Sequence, residues 1–393
     1  MNLIDSIVRQ AGDLAAIRRD IHAHPEIGFT ETRTAGIVAD RLREWGVDHI
    51  ATGLGKTGVV GVIRGHLPGP TIGLRADMDA LPMGEETGLP FASTRPGVFH
   101  GCGHDGHTAM LLGAAQYLAE TRRFPGTVHV IFQPAEEGLG GAGAMIADGL
   151  FDRFPCDEVY ALHNWPNAEL GWVGATPGVA MAASNNFDIV ITGHGSHGAM
   201  PHQSIDPVMV ASAVVQALQT IVSRNLPPLE TAIVSVTQIH AGSAHNVIPA
   251  TAVLGGTIRT FDGKIQSLIV ERMRALVTGI ASSFGAQATV SVHPGYSALV
   301  NAPAQTSAAC DIAVGVVGHG NVSPHAAPLT GSEDFSDMLA VVPGAYLWLG
   351  QGNGANLHNP AYRFNDDVIP IGATIYARLA EQRLHAMHGS AAR

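Results

Sequence analysis

Apolar residues recur at helical spacing over residues 3–23 and again over 33–45, with the polar stretch His22-Ala-His24-Pro25-Glu26-Ile-Gly28 between the two segments. Two short runs follow, Gly58–Arg64 and Thr71–Met78, whose apolar, β-branched content reads as strand. A helix is expected from Thr108 through Leu118. After it comes the apolar run Thr127-Val-His-Val-Ile-Phe-Gln133, which ends in Pro134-Ala-Glu136-Glu137-Gly138, and a further strand over Glu158–Asn164. Near-continuous apolar strands alternating with helices predict an α/β unit whose sheet is mixed but mostly parallel and covered by helices.

The pattern changes near residue 180. Strand is expected over Asn186–Thr192, helix over Pro207–Arg224, strand over Thr231–His240 and Thr251–Thr260, helix over Gly263–Phe284, and strand over Ala286–His293. That order, β-α-β-β-α-β, is the ferredoxin-like plan of a four-stranded sheet with two helices on one face. After Pro294-Gly295 the α/β alternation resumes. The organisation expected is therefore a first domain in two parts, residues 1–180 and 296–393, interrupted by an inserted α+β lid or dimerisation domain over 181–295. Residues Gly389–Arg393 are expected to fray.

Composition narrows the function. The 393 residues exceed one ordinary core, and 46% hydrophobic with 14% charged residues fits a packed globular enzyme. A net charge of −11 without any basic run argues against nucleic acid or an anionic membrane as partner. Three cysteines without a C-x-x-C pair argue against a disulfide framework and for a reducing, cytoplasmic setting. No apolar run is long enough to span a bilayer, and the N-terminal residues lack signal-peptide organisation.

The candidate chemistry concentrates in His100-Gly-Cys102-Gly-His104-Asp-Gly-His107, which sets a thiolate and three imidazoles among three glycines just before the expected helix. Glycines permit a sharp bend and a close approach, so Cys102 and His104 are able to face one cation, although a buried cysteine beside solvated histidines fits the same letters. Glu136-Glu137 closes an apolar strand. One carboxylate can ligate a metal while its neighbour takes a proton from water, yet two acids on a solvated loop are common. His163, at a strand end, and His358, in Leu357-His358-Asn359-Pro360, add two imidazoles. Together these donors suffice for two cations roughly 3.5–4 Å apart. Asp77 and Asp79 follow a strand and suit carboxylates that orient ligand imidazoles, or ordinary strand-end caps. Arg259 ends a strand of the inserted region, where its guanidinium suits a carboxylate, a surface salt bridge being the alternative.

These segments, taken in order, resemble the aminoacylase, hippurate hydrolase and indole-acetyl-amino-acid amidohydrolase family of dinuclear metallopeptidases. The matching stretches are His22-Ala-His24-Pro25-Glu26, Arg75-Ala-Asp77-Met-Asp79-Ala-Leu-Pro82, Gly101–His107, Gln133-Pro-Ala-Glu-Glu-Gly138, Gly198-Ala-Met-Pro-His202, Asn246-Val-Ile-Pro249, Gly256-Thr-Ile-Arg259, Gly331-Ser-Glu-Asp-Phe335 and His358–Asp366. The resemblance implies cleavage of the amide of an N-acyl amino acid to a carboxylic acid and a free amino acid. It implies two divalent ions (Mn, Zn, Co or Ni) on Cys102, His104, Glu137, His163 and His358, with Cys102 bridging and Glu136 as general base and then acid. His197, Asn246 and Arg259 would reach the substrate, His197 in cis or across a homodimer or homotetramer formed through the inserted domain. His100 and His107 then serve as orienting or structural groups, and His22 and His24 are not ligands. Ser196 stands where the family commonly has glycine, and His245 is likewise unusual. A diaminopimelate-type deacetylase, a carbamoyl-amino-acid hydrolase and a dipeptidase share the implied fold. A non-catalytic metal-binding protein is the reading from a different class.

Overall fold

The computed structural model describes residues 1–391, and the chain separates into two compact units. The first comprises Met1–Ala180, Val300–Ala327 and Asp334–Arg393. The second comprises Met181–Leu299 together with Pro328–Glu333, so these six residues go with the inserted unit although the chain pattern puts them in the C-terminal part.

The first unit is built on an eight-stranded mixed sheet. Its central strands, Pro125–Gln133, Leu67–Asp77, Glu158–Trp165 and Gly344–Gly350, lie side by side and parallel. Three of them are almost entirely buried and Leu67–Asp77 is buried from Ile72 onward, as expected of strands covered on both faces. Gly58–Arg64 and His49–Leu54 extend one side antiparallel, and the second of these has no clear apolar pattern because its side chains are largely exposed. The helices Asp5–Ala23, His104–Thr121 and Val368–Ala391 contribute to one continuous apolar core with the sheet. The tail expected to fray at Gly389 is helical as far as Ala391, and the remaining two residues lie outside the described ones.

The helix after the Cys/His motif starts at His104, four residues earlier than the hydrophobic pattern indicates. The pattern misses the first turn because its residues are polar, yet they are buried. Gly103 makes the early start possible: its φ is +93°, and a Cβ there would meet Asn164 Oδ1 at 2.5 Å.

In the second unit the strands Ala183–Thr192, Ala232–Ala241, Thr251–Thr260 and Gln287–Pro294 form an antiparallel sheet in the order second, third, first, fourth. The helices Pro207–Thr220 and Gly263–Ser283 bury alternate residues of the first strand, Phe187, Ile189 and Ile191, in a separate core. Asp206 and Asp262 cap these helices through their carboxylates. The first and last strands pair along their length, Asn185 opposite Pro294, so the unit's two ends are neighbours. Among the described residues no helix is long and apolar enough to cross a membrane.

Candidate metal centre

Parallel strands present their carboxyl ends on one side of a sheet, where ligands of α/β proteins collect. Asp77 closes one such strand, Gln133-Pro134-Ala135-Glu136-Glu137 continues from the next, and His163 lies near the end of a third. The helix beginning at His104 brings in the Cys102 loop, and the backbone N–H of His358 donates to Gly101 O at 2.8 Å, tying the C-terminal segment to that loop.

The donors form overlapping trios whose ligand atoms lie within 4.8 Å of one another: Cys102 with His104 and His163, Cys102 with Glu137 and His358, and His104 with Glu136 and Glu137. Cys102 belongs to two of them. Its Sγ lies 3.5 Å from His163 Nε2, and His358 Nε2 lies 3.2 Å from Glu137 Oε1. His163 Nδ1 donates to the carbonyl of Asn164 at 2.7 Å, which leaves the Nε2 lone pair facing Cys102. Burial, reinforced by His107 and His104, holds His163 well below the usual imidazole range, so it is neutral, as a ligand must be.

Asp79 divides its oxygens between two donors. Oδ1 sits 3.1 Å from His104 Nδ1, and Oδ2 accepts from the backbone N–H of Glu137 at 3.0 Å. His104 Nε2 is thereby turned into the cluster. That atom is buried with no hydrogen-bond partner, 3.9 Å from Glu137 Oε1, whose own near neighbour is His358 Nε2. An unpartnered buried imidazole nitrogen in a thiol, imidazole and carboxylate pocket fits bound divalent cations. Burial opposes a charge on His104, but Asp77 and Cys102 outweigh it and raise its proton affinity well above the ordinary value. His358 is pushed up to about 10 by its contacts with Cys102 and Glu137, against burial. Burial, with Glu137 beside it, pushes the Cys102 thiol up. Cation binding at this donor set therefore competes with protons.

Asp77, His104 and His107 also lie close together. Both nitrogens of His107 are engaged, however, Nδ1 with Asp77 Oδ1 at 2.5 Å and Nε2 with Asn164 Oδ1 at 2.6 Å. Asp77 is further paired with Arg75 at 2.8 Å. This trio frames the donors. Asn164 carries the frame onward, donating to Tyr362 Oη at 2.7 Å.

Sequence reasoning assigned no role to several buried charges. Asp334, inside Gly331-Ser-Glu-Asp-Phe335, accepts from Gln133 Nε2 at 2.7 Å and from the N–H of Ala142 at 2.8 Å, and so grips the strand end that leads to Glu136. Asp105 pairs with Arg18 at 2.9 Å and His22 Nδ1 at 2.8 Å. His22 is raised to about 9 because Asp105 and Glu85 outweigh burial. Arg18 carries the signal that was there to find: a charged residue on an apolar helical stripe. Glu26 of the His-Pro-Glu motif accepts from the N–H groups of Arg33 and Thr34 at 3.0 and 2.9 Å and caps the helix Thr32–Glu44. His24 is exposed and bonds its own helix carbonyl. His100 is buried, and burial lowers it to about 4.

In the second unit Ser196–His197 pairs antiparallel with Val247–Ile248, and Gly198 N–H donates to Asn246 O at 2.7 Å, so His197 and Asn246 come together. Ala199 N–H donates to His197 Nδ1 at 3.0 Å, leaving Nε2 as the protonated nitrogen of the neutral ring. The Ser196 hydroxyl closes this loop by donating to Met200 O at 3.2 Å, and His245 is exposed. Arg259 is half-buried and donates to Thr257 Oγ1 and, at 3.2 Å, to Ile258 O. Among the described residues it makes no ion pair, so the surface salt bridge is not formed.

A model of peptidase family M20/M25/M40 matches residues 73–382. The chain belongs to that family. It is 41% identical over 380 residues to the hippurate hydrolase of Campylobacter jejuni, covering 97% of this chain and 99% of that one. It is 38% identical over 368 residues to N-acetylcysteine deacetylase of Bacillus subtilis, covering 93% and 96%. Among solved structures, a dinuclear metal-binding M20 peptidase of B. subtilis superposes with a TM-score of 0.83 at 35% identity, covering 95% and 98%. This M20 chain is a hydrolase that acts on amide bonds.

Proposed function

We propose that the chain cleaves the amide of an N-acyl amino acid, releasing a carboxylic acid and a free amino acid. The observation that carries this reading is the convergence of Cys102, His104, Glu137, His163 and His358, the first, second and fourth buried and His358 closing the exposed side, with the buried Nε2 of His104 aimed into the cluster without a hydrogen-bond partner and Glu136 beside it. These five residues would hold two divalent cations, Cys102 offering its sulfur to the trios on either side of it. Bound there, such ions supply Lewis acidity toward a carbonyl oxygen and lower the pKa of water. The mixed thiolate, imidazole and carboxylate set accepts Mn, Zn, Co or Ni.

Glu136 is the general base: its carboxylate takes the proton from the attacking water and delivers it to the leaving amine nitrogen. Asp77 and Asp79 hold the imidazoles in their working tautomers. His197, Asn246 and Arg259 bind the amino-acid half, Arg259 through its carboxylate. The Arg259 guanidinium, which makes no ion pair among the described residues, and the preset Nε2–H of His197 support these roles. Self-association as a homodimer or homotetramer through the inserted unit is supported by its long edge strand Ala232–Ala241, on which Ile239 is 56% exposed. Free cysteines support a cytoplasmic setting.

The acyl group is the open variable, since the relatives act on hippurate and on N-acetylcysteine. The test is a panel of N-benzoyl, N-acetyl, N-carbamoyl and indole-acetyl amino acids, with N-acetyl-diaminopimelate and dipeptides, each assayed with Mn²⁺, Zn²⁺ and Co²⁺. Turnover of acyl amino acids above the others is expected. Preference for carbamoyl substrates or dipeptides replaces this reading with a neighbouring amidase activity. Two bound metals with no turnover of any compound replace it with a binding role.

A further inference from the structure

Glu136 and Glu137 issue from a turn that the chain has to force. Ala135, just before them, has φ of +55°, in the left-handed region that a Cβ disfavours. Ala135 is fully buried, so its backbone groups cannot turn to water. Its carbonyl accepts from Gly141 N–H at 3.0 Å, and its own N–H donates to Glu31 Oε1 at 2.8 Å. The other oxygen of Glu31 accepts from the Thr57 hydroxyl at 2.6 Å. Glu31 is itself fully buried, just before the helix Thr32–Glu44, while Thr57 lies between the two outer strands of the sheet. Gly28 closes the third side: a Cβ there would meet Ala135 Cα at 2.8 Å and Cβ at 2.9 Å.

We propose that Glu31 is a positioning residue, whose side-chain oxygen holds the Ala135 turn and thereby presents Glu137 as ligand and Glu136 as base. The proposal rests on the reading of Glu136 and Glu137 given above. Without an acceptor at position 31, the Ala135 N–H is buried and unsatisfied, and the residue relaxes toward negative φ. The peptide plane leading into Glu136 then rotates. Both carboxylates leave the donor cluster together, because they follow the same turn. The acceptor atom matters here rather than the charge. Burial, with Asp79 nearby adding to it, raises the proton affinity of Glu31 against the hydrogen bonds from Thr57 and Ala135, so burial works against a charge at this position. A glutamine fits the same contacts: its Oε1 accepts from Ala135 while its amide donates to the Thr57 hydroxyl, which is able to accept.

The test compares Glu31→Gln, Glu31→Asp and Glu31→Leu. The readouts are Co²⁺ affinity by isothermal titration, kcat and KM on the best N-acyl amino acid, and the melting temperature. Glu31→Gln is expected within about threefold of wild type in Co²⁺ affinity and kcat. Glu31→Asp keeps the charge but is one methylene too short. It and Glu31→Leu should lose roughly 10-fold to 100-fold in Co²⁺ affinity and in kcat, the range for groups that support metal ligands. KM should stay within about threefold. If aspartate holds Co²⁺ as wild type does while glutamine does not, charge is the operative property and the proposal falls. It also falls if all the variants match wild type in affinity and kcat and differ only in melting temperature. Should Glu31→Leu not fold, the glutamine and aspartate variants decide. If wild type turns over no acyl amino acid, the functional reading fails, and the cobalt order still decides the role of Glu31.

Discussion

Glu136 and Glu137 are adjacent in sequence and adjacent in the cluster, and the roles proposed for them are separable by one atom. Glu136→Gln keeps the shape and removes the proton acceptor. It should retain both metals by elemental analysis while kcat falls by roughly two to four orders of magnitude. A rate near wild type would move the base elsewhere. Away from the donors, the His22–Asp105 pair makes stability depend on pH in a direction that follows from its shift. The folded chain binds the His22 proton more tightly than the unfolded chain, with a value near 9 against the ordinary 6.5. The pair's contribution is therefore fully present below about pH 6.5 and is lost as pH rises through about 9. With metal removed by a chelator, the melting-temperature gap between wild type and His22→Gln should be largest near pH 6 and shrink by pH 9.5. A gap that widens with pH would contradict the pairing. The donors were legible as residues because thiol, imidazole and carboxylate letters mark themselves. Their supports, Glu31, Asp105 and Asp334, were not, because a buried carboxylate and a solvated one are the same letter until the fold brings a donor to it.

At the scale of elements, the strands and helices of the inserted unit were legible to within a few residues, since one face of each is apolar and the other is not. The first turn of the helix at His104 was not, because its residues are buried for their chemistry and read as polar. The short pairing of Ser196–His197 with Val247–Ile248 was invisible for a different reason: two residues carry no period. Arg259 closes a long strand that alternation did reveal, and its prediction belongs to that position. Arg259→Ala should reduce kcat/KM for free acyl amino acids by about one to two decades, the loss of a charge-assisted hydrogen bond worth roughly 1.5–3 kcal/mol. C-terminal amides of the same substrates should be much less affected. Equal losses on acid and amide would make Arg259 a strut, its bonds to Thr257 and Ile258 then being its purpose.

At the scale of the molecule, the sequence pattern carried the interrupted organisation but not the return of Pro328–Glu333 to the second unit, since six residues without a period look like any loop. The cores of the two units share no residue, and every residue of the second core lies within Met181–Leu299, so that segment is expected to fold by itself. A fragment spanning Met181–Leu299 should give a cooperative thermal transition and the circular dichroism of a mixed α+β domain. A molten, non-cooperative profile would mean that its core depends on the rest of the chain. The pairing of Asn185 with Pro294 has a consequence of another kind. A guest segment that departs and comes back through one doorway makes no demand on the threading of its host. It can be lengthened, shortened or exchanged for another while the order of the eight strands stays as it is. In such a chain the unit that carries the donor cluster and the unit set into it are joined in sequence through a narrow neck, and each tolerates change without forcing it on the other.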